Sequence, residues 1–186
     1  AAQASLQTGD VARASEYFRQ GADQFLGNPA FELGLALTLL AEGRTAEAEK
    51  VIRDVQGEQA DAARAAFDVI LLMQKGQVDQ AVTAANSAVS RFPDQAWSQN
   101  LLGSVLIAAG DFKGAREALL KAVDKDPNDA ASLANLARVE QLLSNPDAAA
   151  AAWRRILDAD PNNADAAGAL ARLEVERGNL PAALKL

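Results

Sequence analysis

The stretch "AWSQNLLGSVLIAAGDFKGAREALLKAVDKDPND", residues 96 to 129, holds two apolar runs of helical period separated by a break at Gly110 and Asp111. In the first run apolar residues recur three and four apart, and Gly110 then suits the left-handed turn that ends a helix. Asp111 stands where it can cap a second helix, so the unit reads as a helical hairpin. Its tail invites another reading. "DKDPND" at 124–129 and "DADPNN" at 158–163 space acidic residues two apart and follow them with Asn, as a calcium loop does. Such a loop needs Gly at its sixth position and Glu at its twelfth. Those places hold Asp129 and Asn135 in the first stretch, and Asn163 and Ala169 in the second. Both stretches therefore read as turns between hairpins, with Asn and Asp capping the incoming helix.

The hairpin recurs. Gly9, Gly43, Gly76, Gly110, Ser144 and Gly178 follow one another at intervals of 34, 33, 34, 34 and 34 residues. Five residues after each stands an alanine: Ala14, Ala48, Ala81, Ala115, Ala149 and Ala183. Pro93, Pro127 and Pro161 keep the same 34-residue beat. The recurrent alanine is small enough for the first helix to cross closely, while Asn145 and Asn179 are placed to cap second helices as Asp111 does. Pro146 fits the first turn of its helix.

Composition agrees. Of the 186 residues 49% are hydrophobic and only 5% aromatic, with alanine supplying much of the apolar count, which favours closely packed helices over sheet. The formal charge of -7 gives an average surface field that repels nucleic acid and anionic lipid, so neither is expected as a partner. With no His and no Cys the usual general base, thiol nucleophile and zinc ligands are missing, and neither a GxSxG elbow nor a phosphate-cradling GxxxxGK occurs. The reading is of a non-enzymatic chain without cofactor or metal. No apolar run is long enough to span a bilayer.

A helix-turn-helix unit of this period resembles the tetratricopeptide repeat. Leu102, Gly103, Leu106, Gly110, Phe112, Ala115, Leu119, Ala122 and Pro127 stand where that family has its large, small and turn positions. The resemblance implies an all-α, right-handed superhelical α-solenoid of stacked hairpins running through residues 1–186. It divides into a partial repeat 1–28, repeats 29–61, 62–95, 96–129 and 130–163, and a partial repeat 164–186. Cut hairpins at both ends are expected of a segment taken from a longer array, whose open ends, "LPAALKL" in particular, can pack against another copy. The repeat 29–61 is one residue short, so the connection around "QGEQAD" is expected to differ. Asp68 replaces a usual leucine and is expected to pair with Arg64. Glu140 and Glu174 replace large residues in successive repeats, from which looser or wetter packing is expected.

The family implies a concave wall, built from the first helix of each pair, that binds an extended peptide or helix of a protein partner. Its inward positions carried onto this chain are Leu33 and Leu37, Ile70 and Met73, then Trp97, Asn100 and Ser104, then Asn135, Arg138 and Gln141, and finally Arg172. Leu40, Ala63, Gln74, Asp165 and Glu176 fall on the same wall. Trp97 can anchor a ligand or pack on the neighbouring first helix. Trp153 falls at a core position. Arg138 and Arg172, 34 residues apart in "NLARVEQ" and "ALARLEVE", can hold a carboxylate or carbonyl together with Asn135, or form surface ion pairs with nearby glutamates. The alternative to a binding groove is an architectural spacer or self-assembly module. Alanine-rich, histidine-free repeats are similar to those of bacterial tetratricopeptide proteins of exopolysaccharide assembly and export, which would place the parent chain in the envelope or periplasm.

Overall fold

A computed structural model describes residues 5, 10–25, 28–56 and 60–183, and every element among them is an α-helix. In chain order the helices are α1 (Val11–Gln24), α2 (Pro29–Ala41), α3 (Thr45–Asp54), α4 (Ala60–Gln74), α5 (Val78–Arg91) and α6 (Ala96–Ala109). They continue with α7 (Phe112–Lys125), α8 (Ala130–Leu142), α9 (Pro146–Ala159), α10 (Ala164–Glu176) and the short α11 (Leu180–Ala183). Gly9 and residues 57–59 of the "QGEQAD" connection lie outside the described residues, as do residues 184–186.

The turn residues do what their period demands. Gly43, Gly76, Gly110 and Gly178 take φ of 77°, 71°, 80° and 75°, and Ser144 follows with φ 60° although it has a side chain. In all five turns the next residue donates its N–H to the carbonyl five positions back. The bonds are Arg44 to Leu39, Gln77 to Leu72, Asp111 to Leu106, Asn145 to Glu140 and Asn179 to Glu174, each 2.8 to 3.0 Å. This closes the helix end by satisfying a carbonyl that has no partner within its own helix. The alanines five residues on are buried, with Ala14, Ala48, Ala81, Ala115 and Ala149 all at 0% exposure. In the acidic turns Asp126 and Asp160 accept the backbone N–H of Asn128 and Asn162, while Asp129 and Asn163 cap α8 and α10 through Ser132 and Ala166.

The chain divides into two compact units, residues 1–84 and 85–186, with the division inside α5. In the first unit α2 packs on α1, α3 and α4 around Leu35, Leu39, Leu40, Ile52, Val55 and Phe67. Small residues set the approach of α1 and α2. A β-carbon on Gly34 would collide with the Phe18 ring, and one on Gly21 with the Phe31 ring. Arg64 bonds to the Val55 carbonyl at 2.7 Å and reaches Asp61 at 3.4 Å, which ties the start of α4 to the end of α3.

In the second unit the hairpins α6–α7 and α8–α9 and helix α10 pack in sequence around Leu119, Val123, Leu133, Val139 and Ile156. A second cluster gathers Ala149, Ala150, Leu170 and Leu173, with Trp153 and Leu157 packed against both. Two sequence expectations are corrected here. Glu140 and Glu174 do not loosen the packing: they are 2% and 1% exposed, and both oxygens of each are bonded. Arg116 of α7 meets Glu140 at 2.7 Å and Asn145 donates to its other oxygen at 2.8 Å. Arg154 of α9 meets Glu174, and Asn179 donates to its other oxygen at 3.0 Å. Asn145 therefore makes no side-chain bond to α9, and the side chain of Asn179 is likewise turned to a carboxylate. The amide N–H bonds to the buried anion because a charged acceptor makes the stronger bond, and the side chain is oriented by that bond.

Candidate functional site

The buried glutamates determine what their neighbours can do. Each lies two residues after an arginine, in Arg138–Glu140 on α8 and Arg172–Glu174 on α10, so one helix turns its carboxylate into a joint and its guanidinium elsewhere. Arg138 and Arg172 are exposed and line one cleft of about 440 Å³ together with Asn135, Gln141, Trp153, Asp165, Gly168 and Glu176. Ala134, Ala164 and Ala169 complete its wall. Neither arginine forms an ion pair with a described residue, and Glu140 and Glu174 are held by Arg116 and Arg154 instead.

Four of the expected groove residues, Asn135, Arg138, Gln141 and Arg172, are thus brought to a single cleft. Asn135 is committed in a way its position in the sequence does not show. Its Nδ2 donates to Asn100 Oδ1 at 2.8 Å and to Ser104 Oγ at 3.0 Å, which links α8 to α6. Both of its donors are used, so what it can offer a ligand is its carbonyl oxygen as an acceptor. It is not a third donor to a carboxylate.

The remaining candidates lie elsewhere. Leu33, Leu37 and Ile70 are half-buried against the core of the first unit, and Met73 is half-buried as well. Leu40 and Ala63, expected on the wall, are buried at 2% and 5% exposure, and Gln74 donates to the Leu40 carbonyl at 3.0 Å. Much of the apolar wall is therefore contact between helices. Trp97 is half-buried, its ring 5.2 Å from Phe92 and tilted by 49°, with the Arg91 guanidinium over the other ring at 5.2 Å. Trp153 combines two roles that sequence reading separated, since it bridges both core clusters and also lines the cleft. Its indole N–H has no acceptor among the described residues.

No group of three or more His, Cys, Asp or Glu able to hold a metal occurs among the described residues. No helix among them is long and apolar enough to cross a membrane.

Comparison with known proteins accords with this architecture. Profiles of the tetratricopeptide repeat match residues 5–67, 69–130 and 135–186, nearly the whole chain. The chain belongs to the tetratricopeptide repeat family. Proteins of this family are in general non-enzymatic scaffolds that bind protein or peptide partners. No curated protein matches the chain significantly.

Among solved structures, a chain of the APC/C hetero-tetramer Cut9-Hcn1 is similar at TM-score 0.66 and 21% identity over 97% of this chain. This chain spans 37% of that one, little more than a third of its length. A tetratricopeptide repeat protein from Parabacteroides merdae ATCC 43184 aligns at TM-score 0.60 and 15% identity, covering 99% of this chain and 73% of the other. YrrB, described as a tetratricopeptide protein with an unusual peptide-binding site, aligns at TM-score 0.56 and 16% identity, covering 90% and 87%. At these identities the likeness establishes the repeat fold.

Proposed function

We propose that this repeat array captures a segment of a partner protein, with the cleft between α8 and α10 as the part of its surface that holds polar acceptors. One observation carries the reading: two guanidiniums at equivalent positions of successive repeats line a single cleft, and neither forms an ion pair with a described residue. An unpaired arginine presents a planar fork of donors to a carboxylate or carbonyl, and desolvation inside a cleft strengthens that bond. A volume of about 440 Å³ suits a few side chains of a bound segment. The peptide-binding site named for YrrB is in keeping with this use of the fold.

The test is selection from a displayed library of random dodecamer peptides, followed by fluorescence anisotropy on the selected peptides with wild type, Arg138→Ala, Arg172→Ala and Trp97→Ala. Circular dichroism checks that all four are equally helical. The proposal expects each arginine variant to weaken binding by roughly tenfold or more, the equivalent of one charge-assisted contact. Selected peptides indifferent to both arginines would overturn the cleft. Failure to select any peptide would favour the spacer or self-assembly reading.

A further inference from the structure

We infer that Asp165 and Glu176 make this cleft selective for a mixed-charge segment, one in which an acidic residue is flanked on both sides by Lys or Arg. The inference rests on the reading of Arg138 and Arg172 given above and adds a requirement to it. The cleft carries four charged side chains, two of each sign, and none of them makes an ion pair or side-chain hydrogen bond to a described residue. Opposite charges that share a cleft without pairing are all available to a ligand. A ligand of one sign would satisfy two of them and be repelled by the other two.

Their order along α10 sets the pattern. At a rise of about 1.5 Å per residue, Asp165 precedes Arg172 by roughly 10 Å and Glu176 follows it by roughly 6 Å. The Arg172 Nη1 lies 3.6 Å from the place a β-carbon of Gly168 would take, which keeps the guanidinium between the two carboxylates. Arg138 adds its charge from α8. The wall thus runs negative, positive, negative over about 16 Å, the span of about five residues of extended chain. A complementary segment places an acidic residue between two basic ones within about five positions.

Local stability accounts for only one of the two carboxylates. Asp165 sits in the first turn of α10, where a negative charge is favourable whatever the ligand. Glu176 is the last residue of the same helix, where a negative charge opposes the macrodipole. The arginine next to it, Arg177, pairs with Glu174 and Asp147 instead. Glu176 is therefore an unfavourable charge that lines the cleft without an ion pair to a described residue.

The experiment selects random dodecamers on wild type, on Asp165→Asn with Glu176→Gln, and on Asp165→Lys with Glu176→Lys, with circular dichroism on all three. Wild type should enrich an acidic residue flanked by basic ones. The Asn/Gln protein should bind those peptides roughly tenfold more weakly, and the Lys/Lys protein should enrich acidic flanks. If wild type and the Asn/Gln protein enrich the same purely acidic peptides with equal affinity, the inference falls while the arginine reading stands. If binding depends on neither arginine, the proposed cleft falls and this inference with it. The Asn/Gln comparison decides the matter even where the Lys/Lys protein fails to fold.

Discussion

Leu39 and Glu140 occupy one and the same place in the repeat, four residues before a turn residue, and both are buried, at 1% and 2% exposure. Both backbone carbonyls accept the same turn bond. The side chains solve the burial problem in opposite ways. In the first unit Leu39 joins an aliphatic and aromatic core that needs no specific partner. In the second, Glu140 and Glu174 need an arginine from the preceding helix and an asparagine from their own turn. The difference teaches what each solution provides. An apolar joint gains from area removed from water and tolerates imprecise registry. A buried carboxylate gains little net stability after desolvation, but it needs its partners in place, and here those partners are Arg116 and Arg154 and not Arg138 or Arg172.

The contrast can be broken from either side, most severely in the apolar unit. Leu39→Ala should cost about 2 to 5 kcal/mol, measured as a lowered urea midpoint, because the cavity adds to the lost transfer energy. Arg116→Ala should cost about 2 to 3 kcal/mol by stranding the Glu140 carboxylate, less than for a fully buried pair because the arginine side chain is 44% exposed. Combining Arg116→Met with Glu140→Leu should recover most of that loss by turning the joint into the kind Leu39 makes. A double variant as unstable as Arg116→Ala alone would show that the two joints are not interchangeable.

Smaller changes test what the units share. Ala115→Leu should destabilise by roughly 1 to 3 kcal/mol, since the residue is fully buried where α6 and α7 cross. Ser144→Gly should raise the midpoint by about 1 kcal/mol, by relieving a side chain from φ 60° at a turn where four counterparts are glycine. The smallest effect concerns the exposed cluster at the start of α3. The hydrogen bond from Arg44 holds the Glu47 carboxyl below its ordinary value. A lowered folded value means that the contribution is present above the unfolded pKa and fades as pH falls through the folded one. Glu47→Gln should therefore lower stability slightly at neutral pH, leave it almost unchanged at pH values below the folded pKa, and so flatten the acid limb of a stability profile.

Much of this was legible from residue order. The five-residue interval from turn residue to alanine, the left-handed turn at Ser144 and the capping roles of Asp111, Asp129 and Asn163 depend on neighbours within one or two helical turns. The cleft was legible in part. The 34-residue spacing of Arg138 and Arg172 implied that they share a face, and the recurrence of Glu followed five residues later by Asn, at 140 and 145 and again at 174 and 179, was a signal for the buried joints. The arginines that complete those joints gave no such signal. Arg116 lies 24 residues before its glutamate and Arg154 lies 20 before its own, so the two are one helical turn out of step.

The sequence by itself determined the hairpin, its period and its punctuation, because backbone turns, caps and small crossing residues act through local geometry. Only the tertiary structure decided which way Glu140, Glu174, Asn135 and Asn145 turn. The physical reason is competition. Each of these groups is polar enough to face water, and its direction rests on where the fold places a charge or an amide close enough to replace that water, from a neighbouring helix for Glu140, Glu174 and Asn135 and from the buried Glu140 for Asn145.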